Sequence, residues 1–258
     1  MRARVANRSR ISLAVALVGL FACSGTIATE KAKTSTVQFK SGDQTLSGFL
    51  ALPNQDGKHP AMIVIHESWG LNDWVKEQAE KLAEQGYVSL AVDLYRGKTP
   101  TDLAEAHELI HALTQDGAIK DLKAAFDYLA TRPDVKPDNI GVIGWGTGGA
   151  WAMRLAAHEP RLKACVVNYG ALPTDPGDLQ NIGSAVLGNF GALDKGITLD
   201  DVKAFQISMT KLQKFVSLKI YDNAGHGFEN PNNAEAYRPD AAADAWKRTL
   251  TFLKAILR

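Results

Sequence analysis

Two cysteines in 258 residues are too few for a disulfide scaffold, and ten prolines with 22 glycines exclude a collagen-like or low-complexity chain. Lysine and arginine number 29 against 28 aspartates and glutamates, so no excess of positive charge argues for nucleic acid. The sequence shows no internal repeat, phosphate-binding loop or dinucleotide fingerprint, and nothing in it implies a cofactor. What remains is ordinary globular composition, 45% hydrophobic and 22% charged, enough for one substantial core and too short for three domains.

The N-terminus stands apart. Arg2, Arg4, Arg8 and Arg10 precede an apolar run of 12 residues, Ile11–Ala22. A basic segment followed by so short a run reads as an export signal over residues 1–22, since spanning a bilayer takes about 20 apolar residues. Leu20-Phe21-Ala22-Cys23 is similar to a bacterial lipobox, which makes Cys23 the candidate lipidated residue of an exported, periplasmic or cell-envelope lipoprotein. An ordinary signal cut near Ala28 is the alternative. Losing residues 1–22 removes four basic residues and no acid, taking the formal charge from +1 to −3. The other cysteine, Cys165, lies in the apolar run Ala164-Cys165-Val166-Val167 and reads as a buried, inert thiol.

After residue 33 strands and helices alternate. Thr36–Lys40 and Thr45–Leu52 read as a hairpin around Ser41-Gly42-Asp43. Unbroken apolar runs follow at Ala61–Ile65, Tyr87–Val92, Ile140–Ile143, Ala164–Asn168, Ser184–Gly188 and Val216–Tyr221. Such runs suit strands of a parallel sheet buried on both faces. Helical patterns lie at about 72–85, 101–114, 117–131, 148–158, 199–214 and 240–257. The alternation predicts an α/β fold, a mostly parallel sheet of about eight strands with helices on both faces, in one domain over 33–258.

Open α/β sheets place their chemistry beyond the carboxyl ends of the strands. The third strand ends in His66-Glu67-Ser68-Trp69-Gly70-Leu71-Asn72. The fifth ends in Gly144-Trp145-Gly146-Thr147-Gly148-Gly149 and runs into a helix, which is the strand–turn–helix shape of a nucleophile elbow. The seventh ends in Gly191-Ala192-Leu193-Asp194, the eighth in Gly225-His226-Gly227-Phe228. Elbow, acid, histidine is the chain order of the α/β-hydrolase triad.

With these motifs and Asp93-Leu94-Tyr95 after the fourth strand, the chain resembles the dienelactone hydrolase family over nearly its whole mature length. That resemblance implies an α/β-hydrolase fold and hydrolysis of a small-molecule ester or lactone. It implies His226 as base, Asp194 orienting it and Glu67 beside the resting nucleophile. It also implies Arg96 as a contact for a substrate carboxylate, against plain solvent exposure. The second basic contact, four residues after the histidine, is Asn230 here.

The family's Cys or Ser nucleophile falls on Gly146, which has no side chain to attack a carbonyl. Loss of a triad nucleophile removes roughly 10⁶-fold in kcat and leaves about 10³–10⁴ over water. Thr147, Ser68 or a water activated by His226 would have to attack instead, or the protein binds a small ligand without cleaving it. A recent or deliberate variant of a Cys or Ser enzyme would show the same substitution. The N–H groups of Thr147 and Ser68 are the expected oxyanion donors.

Trp69, Trp74 and Trp145 flank the expected pocket, with Trp69 and Trp145 as candidate substrate contacts, whereas Trp151 and Trp246 fall in helical patterns and read as core. His107-Glu108-Leu109-Ile110-His111 matches the H-E-x-x-H zinc motif. It sits mid-helix where a hydrolase needs a covering helix, its third ligand would have to come from Asp121, Asp127 or elsewhere, and a half-exposed histidine pair is the plainer reading.

Overall fold

Alternate residues of a strand point to opposite faces, so a strand covered on both sides must be apolar at every position. The third strand shows this directly: Ile63 and Ile65 join the core on one face of the sheet, Met62 and Val64 the core on the other. The computed structural model describes residues 31–258, so the export segment and Cys23 lie outside the described residues.

Eight strands form one sheet: β1 (Lys33–Ser41), β2 (Gln44–Leu52), β3 (His59–Ile65), β4 (Val88–Val92), β5 (Val135–Trp145), β6 (Ala164–Asn168), β7 (Ala185–Gly191) and β8 (Val216–Tyr221). Their order is β1-β2-β4-β3-β5-β6-β7-β8. The β1–β2 and β2–β4 pairs are antiparallel, and every later pair is parallel. The helices are α1 (Asp73–Glu84), α2 (Leu103–Ala112), α3 (Gln115–Ala130), α4 (Thr147–His158), α5 (Pro176–Asn181), α6 (Leu199–Lys211) and α7 (Pro239–Leu257).

One face of the sheet packs on α3, α4 and α6 through Leu122, Phe126, Met153, Leu155, Phe205 and Met209. The other packs on α1 and α7 through Trp74, Val75, Leu82, Ala245 and Leu253. Trp151 is buried in the first core and Trp246 is partly buried against the second. Cys165 is fully buried with its Sγ 3.6 Å from Met153 Sδ, and burial pushes its thiol pKa up.

Two elements depart from the sequence reading. α5 was not expected, because its six residues carry no apolar period; Asp175 capping the amides of Gly177 and Asp178, with Pro176 at the first turn, holds it instead. β8 is half-exposed from Val216 to Ile220 rather than buried on both faces, because it closes the sheet and has only β7 beside it.

Candidate active site

The elbow between β5 and α4 is built by close approach. A Cβ on Gly148 would collide with the carbonyl oxygens of Ile65 and His66, and one on Gly144 with the backbone of Gly148. Only glycines let the first turn of α4 press this tightly onto the end of β3. Gly146 turns the chain with φ 51 and ψ −118, a left-handed conformation, and its N–H donates to Asn168 O at 3.0 Å.

His226, in the loop after β8, meets that turn. A Cβ built on Gly146 would stand 3.3 Å from His226 Nε2, with no other neighbour nearer than His226 Cε1 at 4.0 Å. His226 Nδ1 pairs with Asp194 Oδ2 at 2.9 Å, while Asp194 Oδ1 accepts from the amides of Gly196 at 2.8 Å and Ile197 at 3.1 Å. The hydrogen bond to Asp194 raises the His226 pKa above its usual value; burial opposes this, and the Asp194 and Glu67 charges reinforce it. Burial works to raise the Asp194 pKa, but the His226 hydrogen bond and the two amides outweigh it and hold the carboxyl low. The His226 side chain is 54% exposed and the Asp194 side chain only 2%, so the imidazole faces solvent from a buried anchor.

Glu67 is buried with both oxygens engaged. Tyr169 Oη donates to Oε1 at 3.1 Å and Asn230 Nδ2 to Oε2 at 2.8 Å. Burial raises its pKa, and the two donors counter part of that rise. Tyr169 carries Glu67 toward the histidine: its ring meets His226 edge-on at 5.2 Å, and its own φ is 40, a left-handed conformation for a non-glycine residue. His66 fixes the same loop by joining Nδ1 to Glu67 O at 2.7 Å and accepting Leu94 N–H at Nε2 at 3.3 Å. Burial lowers the His66 pKa, as this neutral, doubly anchored ring requires.

The two expected oxyanion donors are neighbours. Ser68 Oγ and Thr147 Oγ1 lie 3.4 Å apart, and among the described residues neither backbone N–H is paired with an acceptor. Two free amides beside a histidine at a helix N-terminus can receive the negative charge that develops on a carbonyl oxygen.

Two expected contacts lie elsewhere. Arg96 pairs with Asp121 Oδ2 at 2.6 Å and Gln44 Oε1 at 2.9 Å, which directs its guanidinium to α3 and the β1–β2 turn. Trp145 is 1% exposed, donates to Glu229 Oε2 at 2.9 Å and packs edge-on against Trp74, so it supports the elbow from beneath. Trp69 is half-buried in the Ser68 loop. His107 and His111 are exposed on α2, and among the described residues no group of three or more His, Cys, Asp or Glu side chains stands in metal-binding geometry.

Sequence reasoning passed over Tyr169, Glu229 and the partnership of Asn230 with Glu67. Asn168 and Tyr169, polar residues closing the buried strand β6, were the available signal. Glu229 is pushed up to about 8 by burial, against the Trp145 hydrogen bond and with the Glu67 charge adding to the rise.

A mostly parallel, eight-stranded sheet with an elbow, an acid and a histidine beyond its strand ends defines an α/β-hydrolase. The model of the dienelactone hydrolase family matches residues 46–257, and the chain belongs to that family. A Synechocystis protein named "Putative carboxymethylenebutenolidase" is 31% identical over 243 residues, 88% of this chain and 98% of its own. A Bradyrhizobium protein named "Probable 2-oxo-3-(5-oxofuran-2-ylidene)propanoate lactonase" is 32% identical over 241 residues, 88% of this chain and 96% of its own. The crystal structure of a dienelactone hydrolase-like promiscuous phosphotriesterase from metagenomic libraries superposes with a TM-score of 0.82 at 26% identity, over 88% of this chain and all of that one.

Proposed function

We propose that the protein hydrolyses a small ester or lactone by general-base catalysis, with water as the nucleophile that His226 activates at the Gly146 turn. The observation that carries this reading is the His226 imidazole, held by Asp194 at 2.9 Å and aimed by Nε2 at the point 3.3 Å away where a nucleophile's Cβ would stand. Nε2 takes a proton from water as the oxygen attacks the carbonyl carbon. The amides of Thr147 and Ser68 receive the oxyanion. Collapse breaks the bond to the alkoxide, which takes the proton back from the His226 imidazolium. Because this base must be neutral and its pKa is raised, the rate climbs on the alkaline side of 6.5, the ordinary histidine value.

A second reading is favoured by Gly146 itself: the protein binds a small ligand at this site without turnover. Hydrolysis of 4-nitrophenyl acetate by the unaltered protein, His226→Ala, Gly146→Cys and Gly146→Ser separates the two. Activity in the unaltered protein that disappears in His226→Ala supports hydrolysis through the His226 base, with water or a Thr147 or Ser68 hydroxyl attacking, over ligand binding alone. A silent parent restored by either replacement at 146 supports a hydrolase site lacking its nucleophile, and silence in all four supports ligand binding alone.

We also infer export and lipid attachment at Cys23, on the strength of the basic segment, the short apolar run and Leu20-Phe21-Ala22-Cys23. The mass of the mature N-terminal peptide tests this: a chain beginning at a diacylglyceryl Cys23 supports attachment, and an unmodified chain beginning near Ala28 overturns it.

A further inference from the structure

The charges that surround His226 are all of one sign. Glu67 and Asp194 both act on the imidazole, and the Glu67 charge disfavours Glu229 as an anion. Among the described residues no lysine or arginine forms an ion pair with Glu67, Asp194 or Glu229. Two side chains that could have offered donors to an incoming anion are committed to internal partners. The Arg96 guanidinium is held by Asp121, Gln44 and, at 3.5 Å, Asp93 O; the Asn230 amide is held by Glu67 at 2.8 Å. The hydroxyl of Tyr169 is likewise spent on Glu67.

Both Glu67 oxygens accept from Tyr169 and Asn230, as a carboxylate does, and Asp194 is held as an anion by His226 and two amides, so the side-chain donors around the imidazole are spent before a further negative charge arrives. A carboxylate brought there would lose hydration without gaining a cation, and a buried charge without a partner is costly. The oxyanion amides offset only the charge that develops during attack, which appears on the carbonyl oxygen and not on a remote acid group.

We propose that this site selects neutral esters or lactones and rejects substrates that carry a carboxylate, with Glu67, fixed by Tyr169 and Asn230, as the residue that sets the selection. The proposal rests on the reading of the site as one for esters or lactones and adds the charge class of the substrate.

Binding of two hydrolysis-resistant probes, acetanilide and N-phenylsuccinamic acid, is followed by NMR through the ring-proton resonances of His226, so that turnover is not required. The neutral probe is expected to bind about tenfold more tightly than the anionic one, the effect of one like charge at short range in a partly solvated site. Added salt is expected to leave the neutral probe unchanged and to tighten the anionic one. Glu67→Gln retains an oxygen for Asn230 and is expected to narrow the difference severalfold; Tyr169 can then accept instead of donating. Equal or tighter binding of the anion, weakening of its binding by salt, an unchanged ratio in Glu67→Gln, or no His226 shift with either probe would overturn the proposal. A protein that discriminates between the probes yet never cleaves 4-nitrophenyl acetate would remove the hydrolytic reading alone, whereas hydrolysis that favours a carboxylate-bearing ester would remove only the charge selection.

Discussion

Gly146 takes up φ 51 without a Cβ, whereas a non-glycine residue held in such a conformation costs about 1–3 kcal/mol. Gly146→Ser or Gly146→Cys should therefore lower stability by about 1–2 kcal/mol in urea unfolding. The His226 ring must also yield by a few tenths of an ångström to the new Cβ. Either replacement that gained activity while losing stability would show how a nucleophile elbow stores strain. The Asp194 hydrogen bond is the largest influence raising the His226 pKa, so Asp194→Asn should bring it down, as an NMR titration of the ring protons would read. The pair also bears on stability. The raised His226 pKa adds stability that is complete below 6.5 and lost as pH climbs through the folded value; the lowered Asp194 pKa adds stability complete above 3.8 and lost as pH falls. Both contributions are whole between those limits, and the difference in melting temperature between wild type and Asp194→Asn should be widest there. Arg96→Ala should cost about 1–2 kcal/mol through the stranded Asp121 carboxylate, whose side chain is 8% exposed. It should leave probe binding at His226 unchanged; a weakened ligand would return Arg96 to the site.

At the scale of elements, the joint between β3, β5 and α4 has no room to spare. Gly148→Ala would set a methyl group against the carbonyls of Ile65 and His66, backbone atoms at the end of a central strand and the start of its loop that cannot swing aside. A loss of more than about 3 kcal/mol is expected by thermal or chemical denaturation, with the Ser68 and Thr147 amides displaced from each other. The glycines in a strand–turn–helix context marked the elbow in the sequence, while the strand that α4 presses on came from the fold. The sequence did less well for elements with no apolar signature. α5 rests on an aspartate cap and a proline, and β8 has the composition of a buried strand but the position of an edge. An apolar run reports that a strand is hydrophobic; how many neighbours cover it depends on where the sheet stops.

At the scale of the whole molecule, the site is suspended from a buried polar chain inside the sheet. Arg248 of α7 donates to Asn189 Oδ1 at 2.5 Å and to Ser217 Oγ at 3.2 Å, and the Asn189 and Asn168 side chains meet at 2.8 Å. Asn168 O receives the Gly146 N–H and Asn189 O the Tyr169 N–H, so the chain underlies both the elbow and the tyrosine that holds Glu67. Arg248→Leu should cost about 1–3 kcal/mol, because it leaves the fully buried Asn189 without its donor. It should also broaden the His226 resonances if the chain keeps the site rigid, which a ring-proton spectrum would show.

The α/β class, the order of strands and helices, and the positions of elbow, acid and histidine were legible in the sequence. Those features follow from local periodicity and from glycines that only a tight turn requires. Which side chains meet was decided by the tertiary structure alone. Arg96 and Asp121 lie 25 residues apart, Glu67 and Tyr169 102 apart, and Glu67 and Asn230 163 apart. An arginine in a loop can face a pocket or a helix with equal ease until the helix supplies an aspartate. A tryptophan beside an elbow can line the site or lie beneath it until a glutamate 84 residues later accepts its indole N–H. Such pairings are fixed by which strand ends the sheet brings together, because hydrogen-bond partners are chosen by proximity in space, and composition along the chain does not encode that proximity.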